Sequence, residues 1–268
     1  MQVDKFGTHS LSFLGRVIRI FICLGFARGK FKKVFHYLWK NFIGENAVDL
    51  SYNGLKLRVI PFGNSIESNI LFSSKTRERE ELKIIKKFVN QSTLFLDIGA
   101  NSGYYSVFVS SFGARKCICF EPNPVLVKRI NENIELNHFT HKIDIAPFAL
   151  GDFEGNVTLK IATSGLGNSS INRNIEFVEE LEVQQKTLAN ALEKFGEVKA
   201  DIIKIDVEGL EDKILYPYLS KLDENMMPSL IVIEDNAVDW EMNIIEWLKT
   251  NGYKQAGKTR GNIFLVKG

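Results

Sequence analysis

Ten residues constrain this chain more than any others: Leu94 to Gly103, reading L-F-L-D-I-G-A-N-S-G. Leu94 to Leu96 is a short apolar run that stops at Asp97 and passes into a small-residue loop, Gly99-Ala100-Asn101-Ser102-Gly103. Tyr104 to Phe112 then continues as an apolar pattern with helical spacing. A buried strand, a tight loop and a helix in that order make the first βα unit of an open parallel sheet. Glycine at 99 and 103 lets the backbone turn sharply and approach a ligand, and Asn101 is of the non-glycine type that best tolerates positive φ.

The loop departs from the dinucleotide fingerprint G-x-G-x-x-G, since residues 99–104 read G-A-N-S-G-Y. A carboxylate two residues before the first glycine is a poor neighbour for a pyrophosphate. It suits a ligand carrying an ammonium and a sulfonium. A second apolar run, Cys117 to Phe120, ends in Glu121, 24 residues after Asp97. A carboxylate at the tip of the second strand is where a ribose diol is gripped in such sheets. A Gly-rich loop alone fits an ordinary βα turn. The loop together with Asp97 and Glu121 favours an adenosyl-ligand site.

Four blocks follow one another: D-I-G-A-N-S-G from Asp97, F-E-P-N-P from Phe120, A-L-G-D-F-E-G-N-V-T-L from Ala149 and I-K-I-D-V-E-G-L-E from Ile203. In this order they resemble the motifs of the FkbM-type methyltransferases. The resemblance runs from about Glu78 to the C-terminus. Its fourth block is specific to that family, whereas its first occurs across many methyltransferases. The resemblance implies S-adenosyl-L-methionine as cofactor and methylation of hydroxyl oxygens of sugars or natural products. It also implies an α/β fold with the Rossmann-like class I methyltransferase sheet, mostly parallel with its last strand antiparallel, and a reaction centred near Asp206.

The rest of the chain is organised about that unit. Residues 1–46 read as a basic, helical N-terminal extension and 47–268 as the methyltransferase domain. Within the domain, 47–75 is a hairpin and lead-in, and 76–268 is the core with an inserted hairpin at 155–186. Asn53-Gly54 is the favoured two-residue turn of the first hairpin, Val48 to Ile60. A loop through Pro61, Gly63 and Asn64 leads to a helix over Thr76 to Val89. Asn123 to Asn137 is the next helix and Ile143 to Leu150 the third strand. Val157 to Ile161 and Leu181 to Lys186 form the inserted hairpin, which is expected to overhang the ligand crevice. Thr187 caps a helix to Phe195, and Ile202 to Val207 is the fourth strand. Leu210 to Leu219 is a helix and Leu230 to Ile233 the fifth strand. A helix over Asp239 to Thr250 and two last strands, Tyr253 to Ala256 and Ile263 to Val266, complete the sheet.

Charge separates the two parts. Residues 5–44 hold eight Lys or Arg and no acid, so with Asp4 the net charge of +2 leaves −5 for residues 45–268. A mildly acidic body argues against a nucleic-acid acceptor. Leu11 to Phe26 is interrupted by Arg16 and Arg19 and falls short of the roughly 20 uncharged residues of a spanning helix. It reads equally as an interfacial helix giving peripheral contact with a membrane and as a helix packed on the domain, serving location and leaving methyl transfer alone. Three cysteines with no C-x-x-C pair suit a reducing, cytoplasmic setting.

The chemistry is expected at strand ends. Methyl transfer to oxygen needs sulfur, methyl and acceptor aligned within about 3–3.5 Å, and a group to take the acceptor proton. Asp206 ends the strand beside the first and is the expected base, with Glu208 in the loop beyond it seating the acceptor. Lys204, inside a central strand, is costly unless its ammonium reaches a carboxylate, and by period two it shares a face with Asp206. The expected cofactor contacts are Asp97, Gly99, Asn101, Gly103, Glu121 and Asp152, the last either accepting from the adenine amino group or capping a turn. Asn168, Ser169 and Ser170 are either polyol contacts or a plain polar loop. The four histidines have no metal-ligand spacing; Asp206, Glu234, Asp235 and Asn236 could imitate the acids that hold a divalent ion in catechol-type methyltransferases, but no metal is assigned. The chain has no Pro-Pro pair, which sets it apart from exocyclic-amine methyltransferases. A methyltransferase of small natural-product hydroxyls, or an adenosyl-ligand binding module without catalysis at a membrane surface, remain alternatives.

Overall fold

Chain order begins with two helices, α1 (Phe13–Cys23) and α2 (Phe31–Phe42), and a hairpin, β1 (Val48–Tyr52) and β2 (Leu55–Val59). The computed structural model describes residues 3–27, 29, 31–73, 77–162, 171, 176–234 and 240–268. Asn53 (φ 49°) and Gly54 (φ 83°) both take positive φ, as the primed turn requires, and Tyr52 pairs with Leu55 across it. Asp49 and Arg58 form a buried pair at 2.8 Å between the two strands. The same carboxylate accepts from the Gly7 and His9 amides, so the start of the chain is tied to the hairpin.

Two more helices follow, α3 (Ser65–Phe72) and α4 (Arg77–Ile85). α3 lies in a stretch that the sequence leaves as lead-in. Asn64 caps it by accepting from the Ile66 and Glu67 amides, and Ile70, Leu71 and Phe72 are buried. Burial of that end makes a helix out of eight residues with little periodicity of their own.

The remaining elements are β3 (Leu94–Ile98), α5 (Tyr104–Ser111), β4 (Lys116–Phe120), α6 (Pro124–Leu136), β5 (Ile143–Ala146), β6 (Ala149–Leu150), β7 (Gly155–Ala162), β8 (Phe177–Lys186), α7 (Leu188–Lys194), β9 (Ile202–Ile205), α8 (Glu211–Leu219), β10 (Leu230–Glu234), α9 (Ile244–Thr250), β11 (Tyr253–Lys258) and β12 (Asn262–Lys267). Seven of the strands form one sheet in the order β11-β12-β10-β9-β3-β4-β5. β10, β9, β3, β4 and β5 run parallel, and β12 runs antiparallel to β10. This is the expected Rossmann-like sheet. Its strand order reverses at β3, which places a ligand crevice at the C-terminal ends of β3, β4 and β9.

Period two divides the core. Phe95, Cys117, Cys119, Ile202 and Val232 face α5 and α6, whereas Leu96, Ile98, Ile118, Ile203 and Ile231 face α7, α8 and α9. Ile18, Ile22 and Trp39 of the N-terminal helices belong to the first of these layers. The extension is therefore packed into the core of the domain.

Two expectations are corrected. The third strand does not run through to Leu150, because Pro147 cannot donate to the ladder. β5 stops at Ala146, and β6 leaves to pair with β8 in a separate sheet, β6-β8-β7. The last helix begins at Ile244, capped by Asn243. Of the residues before it, Trp240 donates to Glu211 and the Glu241 and Met242 amides to Asp212, so they are held against α8.

Candidate active site

A cavity of about 620 Å³, counting its open mouth, lies where β3, β4 and β9 end. The β3–α5 loop forms its floor. Gly99 and Gly103 both have φ of 75° and Asn101 has 56°, so the residue types at these positions match the backbone they must adopt. A Cβ on Gly99 would sit 2.0 Å from the Asp206 carbonyl oxygen, so only glycine lets the loop lie against the end of β9. The Gly99 and Ala100 amides both donate to the Phe120 carbonyl, and the Gly103 amide donates to Ala100. With these donors engaged inside the protein, the loop is a poor cradle for a pyrophosphate, as the carboxylate at 97 implies.

Glu121 lines the cavity just beyond β4 and is 6 % exposed. Its two oxygens accept from the Asn101 and Asn123 amides, at 2.9 and 3.0 Å, which fixes the carboxyl and pins the loop to it. Burial pushes its pKa up to about 7, with the two amides pulling the other way. Each oxygen retains a second lone pair for a ribose hydroxyl. Beyond Glu121 the wall is apolar: Phe148, Leu150, Leu159 and Ile171 offer a slot for a flat, uncharged ring. The inserted hairpin supplies Leu159, so it does border the crevice. An adenosyl ligand fits this donor set, with ring against the apolar wall and diol at Glu121.

Lys204 is 2 % exposed in the middle of the sheet, directly across from Asp97 in the β3–β9 register. Its ammonium lies 3.5 Å from Asp206 and 4.8 Å above the Tyr105 ring. Burial works against the charge, but Asp206, Asp97 and Glu81 outweigh it and leave the lysine pKa above its ordinary value. Asp97 is fully buried and accepts from the Ser106 amide and hydroxyl. Burial pushes its pKa up, against the pull of Lys204 and of Ser106. Asp97 is thus under the loop and outside the cavity wall. Its side chain projects toward α5, where Ser106 holds it, and its charge favours the Lys204 ammonium. Glu81, on a charged stretch without motif, accepts from Tyr105, Thr259 and Asn262 and completes this buried network.

Asp206 and Glu208 line the cavity and Glu234 stands beside them, each with one carboxylate oxygen within 4.8 Å of the others. Glu208 sits at φ 59°, in the left-handed region. The loop is held there by Glu211, whose carboxylate accepts from the Val207 and Gly209 amides and from the Trp240 indole. Three acids, one of them paired with Lys204, can share protons, accept from hydroxyls or bind a cation. Gly99, Asn101, Glu121, Asp206 and Glu208 all line the one cavity. Gly103 caps α5 against Ile130 and does not line it. Asp152 is exposed, outside the lining, and near enough to Lys213 to raise that pKa. Asn168, Ser169, Ser170, Asp235 and Asn236 lie outside the described residues. Sequence reasoning missed Glu211, although it ends the fourth block, and Glu81 and the apolar wall, which carry no local signal.

Known proteins resemble the chain in both sequence and fold. Ribosomal protein L11 methyltransferase of Ruminiclostridium cellulolyticum is 28% identical over 91 residues, covering 33% of this chain and 29% of that protein. Among solved structures, methyltransferase FkbM from Methylobacillus flagellatus KT superposes with a TM-score of 0.44 at 12% identity, over 66% of this chain and 44% of the other. Streptococcus pneumoniae Sp1610 in complex with S-adenosyl-L-methionine gives 0.43 at 16% identity, over 70% and 72%. M. jannaschii tRNA m1G37 methyltransferase gives 0.47 at 13% identity, over 90% and 70%. The family described as the methyltransferase FkbM domain matches residues 97–255, more than half of the chain and all of the cavity's β3, β4 and β9 walls. With a site that fits an adenosyl ligand, that match makes the chain a member of the FkbM methyltransferase family, whose cofactor is S-adenosyl-L-methionine.

Proposed function

We propose that the chain methylates a hydroxyl oxygen of a sugar, glycan or glycolipid-type acceptor, with Asp206 as the base. The observation that carries this reading is the meeting of Asp206, Glu208 and Glu234, with Lys204 paired to Asp206. When bound, the cofactor supplies a methyl group that the acceptor oxygen takes as the carbon–sulfur bond breaks and sulfur keeps the electron pair. Asp206 receives the hydroxyl proton, directly or through water. Lys204 holds Asp206 by their ion pair, and Asp97 and Glu81 hold Lys204. Glu208 accepts from a further hydroxyl and seats the acceptor, a role that suits a polyol. Gly99, Asn101 and Glu121 contact the cofactor, while Gly103 shapes their loop. An acidic cluster on a body of net charge −5 repels a phosphate backbone, which favours a glycan over a nucleic acid. Cys23, Cys117 and Cys119 are all free thiols, in keeping with a cytoplasmic setting.

The test is methyl transfer from labelled cofactor to a panel of nucleotide sugars, oligosaccharides, glycolipids and tRNA. Transfer to a glycan hydroxyl is expected, with single-turnover rates for Asp206→Asn lower by about 10²–10⁴ and cofactor affinity little changed. Methylation of tRNA alone, or normal rates in Asp206→Asn with loss in Glu208→Gln, overturns the assignment.

A further inference from the structure

Both N-terminal helices leave large apolar side chains exposed, and on α1 these form a second apolar face. On α1, Gly15, Ile18 and Ile22 are buried against the domain. Phe13, Ile20 and Leu24, on the opposite side, are 84 %, 58 % and 69 % exposed. They fall with Val17 in one stripe by the 3.6-residue period. On α2, Trp39 is buried against Phe72, whereas Phe31, Val34 and Phe42 are exposed. Both helices rest on α3 and touch each other. Arg16 and Lys33 are exposed alongside them, in a segment with eight cations and no acid over residues 5–44.

A helix that only caps a domain has one apolar face, and its outer face is polar. A contiguous outward stripe of Phe, Ile and Leu marks an interaction surface. We infer that this face docks on an anionic lipid bilayer, with Phe13, Ile20, Leu24 and Phe31 entering the boundary between headgroups and acyl chains and Arg16 and Lys33 at the phosphates. Among the described residues no helix is long and apolar enough to cross a membrane, so the helices lie in the interface plane. Charge selects the occupant. A second copy of this surface would set cations against cations, whereas anionic headgroups neutralise them. The opposite faces hold the helices to the body through Trp39 and through the Arg19 side chain, which donates to the Leu71 carbonyl. The docking face is therefore presented by the folded chain. The inference does not depend on which acceptor is methylated.

The test sediments the full chain with vesicles of phosphatidylcholine alone or mixed with phosphatidylglycerol. Wild type should pellet with the mixed vesicles, and release by salt is expected. Arg16→Gln and Lys33→Gln should each lower the partition about fivefold. Ile20→Ser and Leu24→Ser should each lower it roughly tenfold or more. All four leave the buried face intact, so cofactor affinity should be unchanged in each. Wild type remaining in the supernatant, equal pelleting of the serine variants, or a dimer that Leu24→Ser dissociates would each overturn the inference.

Discussion

Replacing Glu121 by Gln keeps the side chain's shape and one acceptor oxygen while removing its charge. In the ligand-free chain burial raises this carboxyl from 4.5 to about 7, so near neutrality it is divided between two forms. Only the carboxylate can accept both ribose hydroxyls while keeping the Asn101 and Asn123 amides. Hydrogen bonds to a charged acceptor contribute about 1.5–3 kcal/mol, so Glu121→Gln should weaken S-adenosyl-L-methionine binding roughly 10- to 150-fold. The wild-type Kd should fall about tenfold between about pH 6 and pH 8 as the group ionises, and the variant should show no such slope. Stability has the opposite sign. A carboxyl raised to about 7 contributes stability that is full below about pH 4.5 and is lost as the pH climbs through about 7. Glu67, raised to about 7 by its own burial, keeps part of that slope in the variant. Calorimetric titration across this range checks the first claim and thermal melts the second. A wild-type affinity flat with pH, or a Gln variant within about threefold of wild type at the upper end, would refute the reasoning.

Lys204→Met retains volume but leaves Asp97 buried without its counter-charge, and should cost about 3–5 kcal/mol in denaturant unfolding, with turnover falling beyond the loss of folded protein. Gly99→Ala places a Cβ 2.0 Å from the Asp206 carbonyl at a φ of +75°, so a loss of at least about 2 kcal/mol in melts and failure to bind cofactor in titration are expected. Deleting residues 1–44 strips Ile18, Ile22 and Trp39 from the core, and should lower both the melting temperature and cofactor affinity.

What was legible in the sequence was local, or fixed by strand register. The β3–α5 loop announces itself because an apolar run, an acid and two glycines are adjacent, and Asn53-Gly54 specifies its turn unaided. Lys204 could be read because a lone cation in an apolar strand demands an acid, and parallel pairing brings Asp97 opposite it. Pro147 was also there to be read, as the residue that ends β5. Glu81 was not legible. It stands in a charged helix with no motif, and its partners Asn262 and Tyr105 meet it only once α4 lies on the sheet. For α3 the one signal was Asn64 with Glu67 three residues on, a capping pattern without the apolar run that usually accompanies it. Asp152 looked like a site residue because β6 was read as part of the third strand. With β6 turned away at Pro147, Asp152, two residues beyond it, is exposed.

α3 also decides how separate the extension can be from the chemistry. Expecting residues 1–44 to leave methyl transfer alone treats them as an appendage, and the packing does not permit that. Leu71 and Phe72, at the C-terminal end of α3, are covered by α1 and α2. At its N-terminal end Asn64 uses its oxygen to cap the helix and its Nδ2 to donate to the Asn101 side chain in the cofactor loop. Glu67, one turn along, meets Arg129 of α6 at 2.6 Å in a buried pair. One short helix therefore has the inward faces of the two N-terminal helices packed on one end and the β3–α5 loop hydrogen-bonded to the other. Removing the extension would expose the buried end of α3 and free Asn64 to move, and the first consequence would fall on Asn101, whose amide is held by Glu121. Substitutions confined to the outward face leave every one of these contacts in place. That is why they separate docking from catalysis where a deletion would confound the two.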